Sequence, residues 1–319
     1  MRFRGIVLPA AAVALCTSVM AQQPAPVGPA QPGGGGRGAQ MADAGDKLRV
    51  LIYAGLKTHA AGQHDYPQFL ADWSKILTER GAYVTGGLQF PAARDLASAD
   101  VLVIYKGDAG YLGSEDRAAL DSFMRRGGGI VTMHDALCGP EPEVFAGIVG
   151  GAKKHGEVNY TLEADVPYTI VDTAHPVMQG MSNFSIKDEA FFNMTWSKAP
   201  EITVLATATM AATPSAKGHE GEVVPQIWTY EKSLAPAPTG QPYRAFVWMQ
   251  GHNYANFALP NVQTMLLRGI AWAGKRPADS LSTIVCPDGR CGGGGGRRGG
   301  GRGRGTNPGD SDGRGRGGQ

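Results

Sequence analysis

Histidines placed at the ends of apolar runs are the residues of this sequence best suited to chemistry. His59 and His64 follow the first such run. His134 and Asp135 come directly after residues 130–133, His155 lies in a Gly- and Lys-rich stretch, and His252 follows residues 244–249. Asp188 and Glu189 end another short run. Neutral imidazole beside one or two carboxylates suits either a divalent metal or general acid/base chemistry at neutral pH, and the residue types leave both open. His175 precedes Pro176 and is held extended, so it reads as a turn residue. His219, among Lys, Gly and Glu, reads as solvent-facing. The sequence has no HExxH, no CxxC and no His-x-His, so a metal site would depend on separate loops meeting in space.

The elements that must bring those loops together follow from the hydrophobic pattern. Residues 48–54 and 99–105 are continuous apolar runs, 83–85 starts another strand, and 130–133 is a short β-branched one, the pattern of parallel strands covered on both faces. Residues 66–80 carry Phe69, Leu70, Trp73, Ile76 and Leu77 at helical spacing. A second helix is expected over 114–126, with Ser114 as cap and an acidic first turn. Gly127, Gly128 and Gly129 then let the chain turn sharply into the strand that delivers His134. The order β-α-β-β-α-β argues a doubly wound sheet, in which ligands sit beyond the carboxyl ends of the strands. Short β-prone runs at 158–162, 168–171, 184–187, 202–209, 226–230 and 244–249 read as an antiparallel extension packed on that sheet, and 260–274 closes the domain as a helix.

Other readings fail on the residues. The glycine-rich loop 107–113 lacks the Lys-Ser/Thr of a phosphate loop and the GxGxxG spacing, and no GxSxG elbow is present. Residues 1–21 carry Arg2 and Arg4, an apolar run too short to span a bilayer comfortably, and a small-residue cleavage site at Ala21, the pattern of a bacterial secretory signal peptide. Cys16 follows Leu15, where a lipid-attachment site wants a small residue. A Pro/Gly linker (22–46), one domain (47–275) and a C-terminal segment with a Gly/Arg tail (276–319) follow. Thirty basic against 28 acidic residues leave a net charge of only +2, with the basic excess in the tail. Arg-Gly repeats bind phosphate charge, but an exported chain rarely meets nucleic acid, so nucleic acid is not an expected partner. Cys286 and Cys291 bracket a turn and are placed to close a small disulfide loop, and Cys138 reads as a packed side chain.

Four stretches together carry a family resemblance: GGGIVTMHDA (127–136), GGAKKHGE (150–157), HPVMQGMSNFSIKDE (175–189) and VWMQGHNYANFALPNVQTMLLRGIAWA (247–273). The sequence resembles the ThuA-like (trehalose utilisation) proteins, which share the class I glutamine amidotransferase-like fold. The resemblance implies an α/β, flavodoxin-like doubly wound core. It places His134 near the sharp turn where amidotransferases carry a cysteine nucleophile, so thiolate glutamine hydrolysis is not expected. It further implies a small carbohydrate or keto sugar as substrate. His134, Glu189 and Asp188 are then the candidate catalytic residues, and His64, His155 and Trp248 the candidate substrate-binding ones. His134, His155 and His252 are the candidate ligands of a zinc-like divalent metal. The rival expectation is a noncatalytic carbohydrate-binding or envelope module, with Trp196, Trp228, Trp248 and Tyr254 as stacking surfaces.

Overall fold

The structure, a computed structural model, describes residues 45–198, 201–234 and 240–286. The expected signal peptide, nearly all of the linker, the Gly/Arg tail and Cys291 lie outside the described residues; Cys286 is disulfide-bonded. In chain order the elements are β1 (Arg49–Ala54), α1 (Tyr66–Glu79), β2 (Tyr83–Gly87), α2 (Ala93–Ser98), β3 (Val101–Tyr105), α3 (Ser114–Arg125) and β4 (Gly129–Met133). Then come β5 (Cys138–Gly139), α4 (Pro142–Val149), β6 (Gly151–Lys154), β7 (Ala164–Ile170), β8 (Phe184–Asp188), β9 (Thr195–Trp196), β10 (Ile202–Thr209), β11 (Val223–Lys232), β12 (Tyr243–Trp248) and α5 (Pro260–Ala273).

Nine strands form one sheet in the order β2-β1-β3-β4-β12-β11-β10-β7-β8. The first five are mutually parallel, with β1 between β2 and β3 and β12 beside β4. This is the flavodoxin-like order, and it puts a topological switch between β1 and β3. Alternation along each parallel strand feeds two cores. Val50, Ile52, Val101, Val103, Val131, Phe246 and Trp248 pack on the side of α1 and α5. Leu51, Leu102, Ile104, Ile130, Ala245 and Val247 pack on the side of α3 and α4. α1 buries Tyr66, Phe69, Trp73 and Leu77, one face at helical spacing, and its early proline fits the first turn, where no N–H is needed.

Several local expectations are corrected. The expected antiparallel extension is present, but the place of some of its runs differs from expectation. Its strands continue the parallel sheet edge to edge, β11 pairing with β12, β10 with β11, β7 with β10 and β8 with β7. Residues 244–249 belong to the parallel half. The run 158–162 forms no strand and contributes only an isolated bridge from Tyr160 to Phe191. Gly113, not Ser114, is the N-cap residue of α3, although Glu115 and Asp116 do occupy its first turn. Of the three glycines after α3, only Gly127 has a positive φ, 84°. Gly128 and Gly129 are required for space, because a side chain there would strike the Phe123 ring and the Ala273 backbone.

Trp248 Nε1 donates to the Tyr168 hydroxyl at 2.9 Å, which donates to Gln250 Oε1 at 2.5 Å. Gln250 Nε2 in turn donates to Gln226 Oε1 at 2.6 Å and to the Glu189 carbonyl at 3.1 Å. Tyr168 lies on β7 and Trp248 on β12, with two strands between them in the sheet. The segment at the end of β8 thus meets the loop beyond the carboxyl end of β12.

Candidate functional site

Three parallel strands end on histidine-bearing loops that meet at the carboxyl edge. His64 comes from the loop after β1, His134 directly follows β4, and His252 follows β12; all three are buried. His134 Nε2 lies 2.8 Å from His64 Nε2, and His252 Nδ1 lies 2.9 Å from the same atom. These are the one group of three or more metal-ligating side chains among the described residues, with ligand atoms all within 4.8 Å of one another. His134 sits at φ 53° and His64 at φ 48°. Of the six non-glycine residues with positive φ among the described residues, His59, His64, Asp108 and His134 all belong to this region. Left-handed backbone at side-chain-bearing residues is strained, and it persists where the surroundings hold it.

The outer partners of two of the three imidazoles fix which nitrogens carry protons. A carbonyl only accepts, so His134 Nδ1 donates to Met249 O at 3.3 Å and its inward Nε2 keeps a lone pair. The Glu163 carboxylate likewise accepts from His252 Nε2 at 3.3 Å, leaving Nδ1 with the lone pair. Thr58 Oγ1, 3.1 Å from His64 Nδ1, can take that ring's proton as well. With that proton on Nδ1, three lone pairs converge on one point, an arrangement suited to a cation between them; with it on Nε2, His64 donates to one of the other two rings. Burial holds all three rings neutral: it drives His64 down to about 2, His134 down to about 3, and His252 below its ordinary value. Neutral imidazoles are the form that ligates a metal.

Glu189 completes the cluster. Its carboxylate oxygens lie 3.9 Å from His134 Nε2 and 3.7 Å from His252 Nδ1. Burial, assisted by the charge of Asp135, pushes its carboxyl up to about 8. Its neighbour Asp188 does a different job. The Asp188 carboxylate accepts the backbone N–H of Glu189 (2.8 Å), His252 (3.1 Å), Asn253 (3.2 Å) and Gly251 (3.3 Å), and the Asn256 amide (2.7 Å). Burial raises it to about 6, against those donors. The carboxylate is thus turned to the loop that carries His252 and does not line the cavity. Gly251 holds φ 129°, with Tyr105, Phe257 and the His134 Cβ close around it, so a side chain there would be strained by the backbone and tightly packed.

The cluster opens on a cavity of about 370 Å³ lined by Thr58, His64, Asp108, Lys153, His155 and Glu189, among others, a size suited to a small ligand. Lys153 is buried, with Nζ 2.7 Å from Asp135 and 4.0 Å above the Phe191 ring. Burial opposes charge on Asp135, yet His134 and Lys153 hold its carboxyl well below the ordinary range, and at neutral pH the lysine is the charged partner. Cys138 also lines the cavity, its thiol pushed up to about 12 by burial.

Not every expected residue joins the cluster. His155 lines the cavity but bonds to Asp108, and His64 takes the place expected for it among the three imidazoles. Trp248 is wholly buried in the core, with its ring nitrogen spent on Tyr168, so it cannot stack on a ligand in the cavity. Trp228 is wholly buried as well, Trp196 packs against it at 4.9 Å, and Tyr254 bonds to Asp72. None of these four lines the cavity. Sequence reasoning missed Thr58, Asp108, Lys153 and Glu163. The adjacency of Thr58 to His59 was the one available signal, since a buried lysine in Gly-Ala-Lys-Lys has no sequence signature.

No curated protein matches the chain. Among solved structures, a ThuA-like protein from Parabacteroides merdae superposes with a TM-score of 0.54 at 20% identity, covering 72% of this chain and 90% of its own. A ThuA-like protein from Bacteroides uniformis gives a TM-score of 0.52 at 16% identity, covering 71% and 91%. At these identities the likeness is one of fold. The sequence pattern of the ThuA family, described as trehalose utilisation, matches residues 49–273. That span runs from β1 to the end of α5 and includes every residue of the cluster, and so the chain belongs to the ThuA, or trehalose utilisation, family.

Proposed function

We propose that this protein is an exported enzyme acting on a carbohydrate or keto sugar, with His64, His134 and His252 holding a zinc-like divalent cation at the base of the cavity and Glu189 beside them as the acid/base group. The observation that carries this reading is the convergence of three neutral imidazoles, two of them with lone pairs turned inward by their outer hydrogen bonds. Three protein donors with a fourth position left for substrate or water is the pattern of catalytic rather than structural zinc. A cation bound there supplies Lewis-acid polarisation of a sugar oxygen. The protein's own contribution is orientation and proton control. Met249, Thr58 and Glu163 fix the rings, and Asp188 fixes the loop bearing His252. Glu189 lines the cavity 3.9 Å from His134 Nε2 and 3.7 Å from His252 Nδ1, where its carboxyl is placed to exchange a proton with a ligand.

Metal analysis of purified protein, combined with turnover assays on trehalose and its singly oxidised keto derivative, tests the reading. The expected result is about one divalent metal per chain, lost in His64→Ala and His252→Ala, with turnover of one of the two sugars lost in the same variants. Metal-free protein whose sugar turnover survives both substitutions would overturn it. Export is supported by the pattern of residues 1–21, and a mature N-terminus after Ala21 is the expected product in cells. Among the described residues no helix is long and apolar enough to cross a membrane.

A further inference from the structure

A second polar pair lines the same cavity and shares no hydrogen bond with the three imidazoles. His155, in the turn after β6, places Nδ1 2.7 Å from Asp108 Oδ1, in the loop after β3. Both ends are held by backbone. The His155 N–H donates to Gly139 O at 2.9 Å, the Asp108 N–H to Asp135 O at 2.9 Å, and the Tyr111 N–H to Asp108 O at 3.2 Å. Asp108 is kept at φ 56°, in the left-handed region that aspartate tolerates better than most residues. A carboxylate accepts and does not donate here, so Nδ1 carries the ring proton and Nε2 carries the lone pair. No group among the described residues is hydrogen-bonded to Nε2, and the ring is half exposed at the cavity wall, its face near the edge of Tyr111. An imidazole whose far nitrogen is tied to a fixed carboxylate is an oriented base with its reactive nitrogen toward the ligand.

We infer that His155 is a second proton-transferring catalytic residue of this cavity, on the wall away from Glu189, and Asp108 its positioning residue, distinct from the imidazole cluster proposed to hold the cation. This rests on the reading of the cavity as a sugar-modifying site. In the forward step Nε2 takes a proton from a C–H beside a carbonyl; the electron pair of the broken C–H bond stays on the substrate as an enolate, and the imidazolium is balanced by Asp108. In the second step that pair forms a C=C bond as the C–O bond at the next carbon breaks, the departing oxygen keeps the C–O electrons and takes the same proton from Nε2, and the dyad regains its starting state. Lys154 and Glu157, which also line the cavity, pair with each other at 3.3 Å and leave the dyad as the oriented acid/base group of that wall.

Two measurements on the intact protein test the inference. The first uses diethyl pyrocarbonate at neutral pH with peptide mapping and needs no substrate. Asp108→Asn is expected to slow modification of His155 several-fold while leaving His219, which pairs with Glu222, at its wild-type rate. Equal rates at His155 would overturn the dyad. The second uses the keto derivative of trehalose. His155→Gln is expected to lower kcat by about 10²-fold, with KM and bound metal near wild type, and to remove one limb of the pH–rate profile. Asp108→Asn is expected to shift that limb. A His155→Gln enzyme that keeps the limb and the rate overturns the catalytic assignment. If labelling responds to Asp108→Asn while wild-type protein neither holds metal nor turns over either sugar, the sugar reading fails and the dyad stands.

Discussion

The two halves of the sheet supply different chemistry to one place. The parallel half provides the imidazoles, each at the carboxyl end of a strand or in the loop beyond it. The antiparallel half, from β11 to β8, provides carboxylates: Asp188 and Glu189 at the end of β8, and Glu163 just before β7. In the parallel half a residue's role follows from the strand it terminates. In the antiparallel half, adjacent residues have opposite roles, because β8 turns alternate side chains to different surroundings. Asp188 faces backbone N–H groups and builds structure, whereas Glu189 faces the imidazoles and the cavity.

The division is tested most severely at Asp188. Asp188→Ala strips five donors of their acceptor and is expected to cost roughly 3 kcal/mol or more of stability, read by urea unfolding. Glu189→Gln should cost far less at neutral pH, and equal losses would erase the distinction. A smaller effect is expected in pH dependence. Glu189 has a folded pKa of about 8 against an ordinary 4.5, so the folded form binds the extra proton between those values. The contribution of Glu189 to the stability of the metal-free protein should be fullest below 4.5 and decline as pH rises through 8, by about 2 kcal/mol after allowing for partial solvation. Glu189→Gln should abolish that decline. The imidazoles act in the opposite sense. His64 and His134 titrate near 2 and 3 in place of an ordinary 6.5, so their contribution is present above 6.5 and is lost as pH falls, and His134→Asn should flatten the acid side of the curve.

Smaller again is the effect of the outer partners. Glu163→Gln, which weakens the hold on His252 Nε2, should reduce metal affinity about tenfold, measured by chelator competition. The least effect is expected from Trp248→Phe, which removes one buried hydrogen bond to Tyr168 and should cost about 1 kcal/mol without altering affinity for trehalose. A large loss of sugar affinity in that variant would return Trp248 to the cavity.

Legibility tracked burial on two faces. The runs in β1, β3 and β4 are apolar throughout because both faces are covered, and α1, α3 and α5 repeat at helical spacing over three turns or more. α2, six residues long, is too short to show a period. α4 is marked only by Pro142 and the glycine after Val149. β6, Gly-Ala-Lys-Lys, carries no strand signal at all, since Lys153 is buried for the sake of Asp135. Residues 158–162 looked like a strand by composition, but Val158 and Leu162 are exposed in a loop beside the cavity. In the site, His64, His134, His252 and Glu189 were readable because the fold puts function at strand ends. Thr58, Asp108 and Glu163 were not, because a hydrogen bond between distant loops leaves no trace in local pattern. Trp248 was readable in principle: it alternates with Val247 across a strand buried on both faces, which marks it as core.

The contact between the end of β8 and the loop after β12 has a consequence for the order in which the candidate site assembles. His64 and His252 are separated by 188 positions, and the loop of His252 is anchored by a carboxylate on the far edge strand. Contacts of such separation are the slowest to form. Strands β1 to β4 can collapse with their helices while the cluster still lacks a third imidazole and its acid. The site is thus among the last features to assemble, and a chain cut before β12 would lack the third imidazole of the cluster together with the α5 side of the core. Acquisition of metal during refolding should therefore lag the recovery of helical signal.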